Sequence, residues 1–155
     1  QALGTLPPAL LRLEIATNAL GTQGARALRP LLPPGLLRLD LSVNQLGATG
    51  VEALGQLPPR LTTLDLSSNF LTAAAARALG PSLPPGLTHL DISINNIGPE
   101  GATGLAPHLP RGLTFLRMHD CRIRAQGVAA LGPGLPPTLR ELVLSDEYME
   151  NEGAT

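Results

Sequence analysis

His119 and Cys121 are the most reactive side chains in this sequence, and they stand two residues apart in Met118-His119-Asp120-Cys121. An imidazole beside a thiol can draw off its proton to make a nucleophile, and the same two atoms are half of a metal site. Neither chemistry is completed elsewhere. Cys121 is the single cysteine in 155 residues, which excludes an internal disulfide and a cysteine-based cluster. All 11 basic residues are Arg and none is Lys, so Schiff-base chemistry and a phosphate-loop lysine are also absent. Gly98-x-x-Gly101-x-x-Gly104 lacks the spacing of a dinucleotide fingerprint. Asp91-x-Ser93-x-Asn95 opens like a calcium loop, but Asn96 holds the position that needs Gly and Ala102 the position that needs Glu. No catalytic residue, no metal and no cofactor is expected.

Binding chemistry is better represented. The segment LTFLRMHDCRIR sets Phe115 beside Arg117, His119, Arg122 and Arg124. Arg111, Arg117, Arg122, Arg124 and Arg140 are five of the 11 arginines, gathered in 30 residues. An aromatic ring among arginines is the composition of an interface hot spot. The remainder of the chain sets limits on the partner. The formal net charge is −1, so no general field favours nucleic acid or anionic lipid. No apolar run approaches the ~18 residues of a membrane span. Hydrophobic residues make up 43% and charged residues 15%, a balance that argues for a folded domain despite 17 Gly and 16 Pro.

The elements that position these residues repeat. Asn18, Asn44, Asn69 and Asn95 recur at 26, 25 and 26 residues, and Cys121 and Glu147 follow in register at 26 each. Each anchor closes one eleven-residue phrase: LLRLEIATNAL, LLRLDLSVNQL, LTTLDLSSNFL, LTHLDISINNI, LTFLRMHDCRI and LRELVLSDEYM. In the fourth, Leu87, Leu90, Ile92, Asn95 and Ile97 point inward, and Leu90-x-Ile92 has the period of a short strand. The Asn amide both donates and accepts, so stacked Asn side chains can satisfy loop amides that no sheet partner reaches. Gly98-Pro99-Glu100 reads as a helix start. Ala102, Leu105 and Leu109 fall on one helical face, and Pro110, or Pro-Pro in the other linkers, is expected to stop the helix.

The phrase Leu-x-x-Leu-x-Leu-x-x-Asn-x-Leu resembles that of the leucine-rich repeat family, and the likeness covers essentially the whole chain. Helix-bearing halves such as LGTQGARALRPLL resemble the ribonuclease-inhibitor-like class, from whose relatives NOD-like receptors and Ran GTPase-activating proteins are built. The short unit and the Leu-Pro-Pro linker also resemble bacterial effector repeats. The resemblance implies an α/β solenoid, a curved horseshoe of about six repeats, with a parallel sheet on the concave side and short convex helices. It implies a protein-protein interaction module or scaffold without catalysis. The alternatives are a regulatory or substrate-recognition segment of a larger signalling or effector protein, of GTPase-activating or ubiquitin-ligase type, or a structural subunit of a large assembly. Right-handed crossovers build such a stack, and strands ~4.8 Å apart against helices needing ~8–10 Å bend it. Ala-rich helices such as Thr72–Leu79 are expected to soften that bend.

In this frame one domain spans 1–155, with strand phrases near 10–20, 36–46, 61–71, 87–97, 113–123 and 139–149. Its concave face carries three columns: Arg12, Arg38, Thr63, His89, Phe115, Glu141; then Glu14, Asp40, Asp65, Asp91, Arg117, Val143; then Ala16, Ser42, Ser67, Ser93, His119, Ser145. The acidic column reads as a solvated charge ladder. Phe115, Arg117, His119 and Arg122, with His89 and Asp91 alongside, are the expected partner-binding residues. The plainer reading is that Arg117 pairs with Asp91 while Phe115 is tolerated. Cys121 takes an inward Asn slot, where a small buried thiol fits. The acidic residues Asp146, Glu147, Glu150 and Glu152 read as the start of a tail or linker. Neither end shows a cap, so more repeats of a longer chain or neighbouring subunits are expected to cover both. The absence of an Asn-x-Ser/Thr sequon and the single Cys suggest an intracellular, cytoplasmic setting. An organelle stays open, because the chain starts at Gln1 without a Met and a targeting segment is not excluded.

Overall fold

The computed structural model describes residues 4–145. The acidic segment from Asp146 onward, which includes the last four residues of the sixth phrase, lies outside the described residues. Six three-residue strands form one parallel sheet in chain order: β1 Arg12–Glu14, β2 Arg38–Asp40, β3 Thr63–Asp65, β4 His89–Asp91, β5 Phe115–Arg117 and β6 Glu141–Val143. Between them run α1 Gly21–Leu28, α2 Gly47–Leu54, α3 Ala73–Leu79, α4 Gly98–Leu105 and α5 Arg124–Leu131. Neighbouring helices pack on one another in the same order as the strands. The chain is an α/β solenoid, and its register is the repeat itself, with Leu13, Leu39, Leu64, Leu90, Leu116 and Leu142 in line.

Strand and helix leucines close a single core. Leu39, Leu64, Leu90 and Leu116 in the middle strands are at most 1% exposed, and Leu28, Leu54, Leu79, Leu105 and Leu131 meet them from the helices. Glycines let the helices approach. A Cβ on Gly101 would lie 3.0 Å from the Ala73 Cα, and one on Gly127 would lie 3.2 Å from the Pro99 Cα. In the terminal repeats the same columns are open, with Leu13 half-buried and Leu142 37% exposed.

The helices stop earlier than the Pro-Pro linkers imply. After Leu28, Leu79, Leu105 and Leu131 the chain tightens into 3₁₀ turns at Arg29–Leu31, Gly80–Ser82, Ala106–His108 and Gly132–Gly134. Each has Pro at its second position: Pro30, Pro81, Pro107 and Pro133. A proline ring displaces the carbonyl four residues back and offers no N–H, so the α-ladder cannot pass it. Leu109, read as the third contact of helix α4, is therefore extended backbone, at φ −61° and ψ 125°. The second repeat ends instead at Gly55, φ 60°, without a 3₁₀ turn. That difference coincides with its 25-residue step.

The asparagine slot holds the repeats together. Asn69 Oδ1 accepts from the backbone N–H of Asn44 (3.0 Å) and of Leu46 (3.3 Å) in the preceding repeat. Its Nδ2 donates to the carbonyls of Leu41, Leu66 and Ser67. Asn44 and Asn95 repeat the pattern. In the fifth repeat Cys121 is fully buried and its Sγ donates to the Ile92 carbonyl at 3.1 Å, in place of the amide. Asn18 differs, being exposed; its amide donates to Ile15 and Ala16 within its own turn. A second ladder runs at the strand starts, where Thr62, Thr88 and Thr114 hydroxyls donate to the Leu37, Thr62 and Thr88 carbonyls.

Unequal costs follow along the ladder. Asn69→Ala strands several buried donors and acceptors, each worth about 1–3 kcal/mol, so it is expected to destabilise by at least ~3 kcal/mol. Asn18→Ala, at an exposed site, is expected to cost under ~1 kcal/mol. Urea unfolding of the two variants checks this, and equal losses would contradict the ladder.

Candidate functional site

The strands set the first two concave columns side by side as the repeat frame requires. His89 pairs with Phe115 and Asp91 with Arg117 across β4 and β5. The two rings stack, with centroids 5.7 Å apart and planes 23° from parallel. The His89 Nδ1 lies 2.9 Å from the Thr88 hydroxyl, which steadies its ring. Next to the rings, Arg117 Nη1 stands 3.9 Å from Asp91 Oδ2, with the Arg side chain 48% exposed. His119 Nδ1 lies 2.8 Å from the Ser145 hydroxyl and 3.0 Å from the Ser145 carbonyl, and the His119 N–H donates to Ser93 Oγ.

His89, Asp91, Phe115, Arg117 and His119 thus form one patch over β4 to β6. Both sequence readings of Arg117 meet there: it is paired with Asp91, and it is still about half exposed. Arg122 stands apart from the concave columns. It occupies the turn between β5 and α5, at φ 55°, and lines a different cleft. The five clustered arginines do not form one surface either. Arg111 and Arg140 lie before β5 and β6, whereas Arg122 and Arg124 follow β5. A strand separates the two groups.

The acidic column is more than a charge ladder. Asp40, Asp65 and Asp91 are half-buried, and each Oδ1 accepts the backbone N–H of the Ser two residues on: Ser42, Ser67 and Ser93, all at 2.9 Å. These carboxylates close the turn that leaves each strand. Asp65 also accepts from the Ser67 hydroxyl at 2.7 Å. Burial raises the Asp65 pKa above 3.8, the two Ser67 bonds oppose that, and the Asp91 and Asp40 charges add to it. At the far end Glu14 meets Arg38 at 3.9 Å with both side chains exposed, an arrangement of little energetic weight. Among the described residues no three His, Cys, Asp or Glu side chains converge to hold a metal ion.

A second feature was not visible in the columns. Phe70, Thr72, Ile94, Asn95, Asn96, Asp120 and Arg122 line an open cleft of about 400 Å³ on the turns between strands and helices. These residues sit around the Asn slot, where the repeat phrase leaves the position unspecified. The available signal was the apolar character of Val43, Phe70 and Ile94 at such positions.

Asp65 holds its proton more tightly folded than unfolded. Its ionisation therefore weakens the fold, and that loss is recovered as pH falls through the raised value toward 3.8. Asp65→Asn keeps an acceptor for Ser67 and removes the charge. The variant is expected to be more stable than the parent at neutral pH, with the gap narrowing as pH falls through that window. Urea midpoints across the range check it, and a gap independent of pH would contradict the assignment.

The family model described as "Leucine Rich repeat" matches residues 36–55, 59–80 and 86–106, which are the second, third and fourth units of the solenoid. No curated protein matches the chain. No helix among the described residues is long and apolar enough to cross a membrane. Three family matches on consecutive units of a six-strand parallel ladder make the assignment: residues 36–106 are leucine-rich repeats.

Proposed function

We propose that this chain is a non-catalytic interaction module that binds a protein partner through the concave patch of His89, Asp91, Phe115, Arg117 and His119. Leucine-rich repeats are generally protein-interaction modules, which supports the class; the patch supports the place. The observation that carries the reading is the stacked His89–Phe115 pair beside a half-exposed Arg117. Both lie on a sheet whose backbone is fixed on each side by neighbouring strands. A partner held there pays little ordering cost. Of the reactive pair only His119 reaches this surface, because Cys121 is fully buried with its thiol bonded to a carbonyl.

Phe115 and Arg117 together are the sharpest test. A protein recovered on the immobilised parent chain is titrated against the parent, against Phe115→Ala/Arg117→Glu, and against Glu52→Ala on the convex helix α2. The double variant is expected to lose at least ~2 kcal/mol, or roughly 30-fold in Kd, and Glu52→Ala to bind like the parent. Equal affinity of all three would retire the concave patch.

A further inference from the structure

Six large apolar side chains are exposed among the described residues: Leu11, Val43, Phe70, Ile94, Val128 and Leu142. Leu11 directly precedes the first strand, Leu142 lies in the last strand and Val128 in the last described helix, where the stack presents an open face. Val43, Phe70 and Ile94 do not. They lie in the second to fourth repeats, with a neighbour on either side, and are 45%, 70% and 52% exposed. All three also sit in left-handed backbone, at φ 56°, 57° and 54°. That region is poorly tolerated by β-branched side chains such as Val and Ile. Equivalent turns carry Ser68 and Asp120 at the position of Val43 and Ile94, in the same backbone state. Neither burial nor backbone preference accounts for apolar residues here. Strained residues on a surface point to recognition.

The cleft lies where the turn departs from its neighbours. Gly21, Gly47 and Gly98 stand three residues past the Asn slot with positive φ, but the third repeat has Thr72 there, at φ −108°. Thr72 bridges to Asn96, and the Asn96 N–H donates to the Leu71 carbonyl at 2.8 Å. Phe70 and Ile94 flank the resulting cleft, and Asn96, Thr72, Asp120 and Arg122 supply its polar atoms. The Asn96 amide, Thr72 hydroxyl and Asp120 carboxylate make no side-chain hydrogen bond among the described residues. Together the Asn96, Thr72 and Asp120 groups offer both donors and acceptors. A polyanion would meet Asp120. The alternating N–H and C=O groups of an extended peptide would be matched, and an aliphatic side chain would be matched by Phe70 and Ile94.

We propose that this cleft binds an extended segment of a protein partner, with an aliphatic side chain lodged between Phe70 and Ile94 and the adjoining peptide groups bonded by Asn96, Thr72 and Asp120. The site is separate from the concave patch and goes beyond it.

Amide NMR of the full 155-residue chain, titrated with three probes, tests this. The probes are acetyl-Gly-Gly-Leu-Gly-Gly-amide, its Ser counterpart, and the trimer of N-acetylglucosamine. The Leu peptide is expected to move the amide signals of Phe70, Thr72, Ile94 and Asn96 with a Kd on the order of 1 mM. The Ser peptide is expected to bind at least about tenfold more weakly. Ile94→Asn and Phe70→Ser are each expected to lose about tenfold, and Ile94→Asn to melt no lower than the parent, since Asn suits a left-handed turn. Phe115→Ala/Arg117→Glu is expected to leave the titration unchanged, which separates this site from the concave one. No response to the Leu peptide, a response centred on the strands, equal binding of the Ser peptide, tighter binding of the saccharide, or loss in the concave double variant would each overturn the proposal.

Discussion

One side-chain amide per repeat sets the terms for the rest of this molecule. A buried Asn reaches backward to two N–H groups and a carbonyl of the preceding turn and inward to two carbonyls of its own. Turns between parallel strands and crossover helices have no sheet partner for those groups, and an unpaired buried backbone group costs about as much as a lost hydrogen bond. The amide removes that cost wherever the slot holds a buried Asn. Where Cys121 replaces it, one carbonyl contact to the preceding repeat persists through sulfur.

The backbone on both sides of the slot repeats as well, whether the slot holds Asn or Cys121. Residues before and after it lie in left-handed conformations, among them Val43, Ser68, Phe70, Ile94, Asp120 and Arg122. Their side chains project from turns that are held by someone else's hydrogen bonds. They are thereby released from folding duty, and the sequence can place apolar or charged groups there at a tolerable strain. The concave columns are released in a similar way, because Leu side chains on the opposite face of each three-residue strand carry the burial. Two surfaces result, one on the sheet and a cleft on the turns. Arg122 belongs to the second although its neighbours in sequence belong to the first.

Much of this was legible from residue spacing. The strand leucines, the Asn slots, the order of the columns and the His89–Phe115 and Asp91–Arg117 neighbours all follow from a 25–26-residue period. What periodicity reports is which side chains point inward. It is silent about the handedness of turn backbone, so the left-handed positions and the Phe70–Ile94 cleft were hidden in the unspecified places of the phrase. It also treated Asp40, Asp65 and Asp91 as a column facing solvent, whereas each turns its oxygen back to its own chain. The Asp-x-Ser spacing carried that information, since a short acid bonds readily two residues ahead. The early helix ends were likewise written in Pro30, Pro81, Pro107 and Pro133, one turn ahead of the more conspicuous Pro-Pro pairs and of Pro110.

Native-state hydrogen exchange tests the governing role of the amide most directly. The N–H groups of Asn44, Asn69 and Leu71 lie in irregular turns, yet each donates to a neighbouring Asn Oδ1. They are expected to be protected to the same degree as the Leu41 and Leu66 amides, which donate to the next repeat just past their strands, opening only when the surrounding repeats open. Exchange of these three at the rate of exposed loop amides would contradict the account, and the ladder would then be a consequence of the stack instead of what holds it.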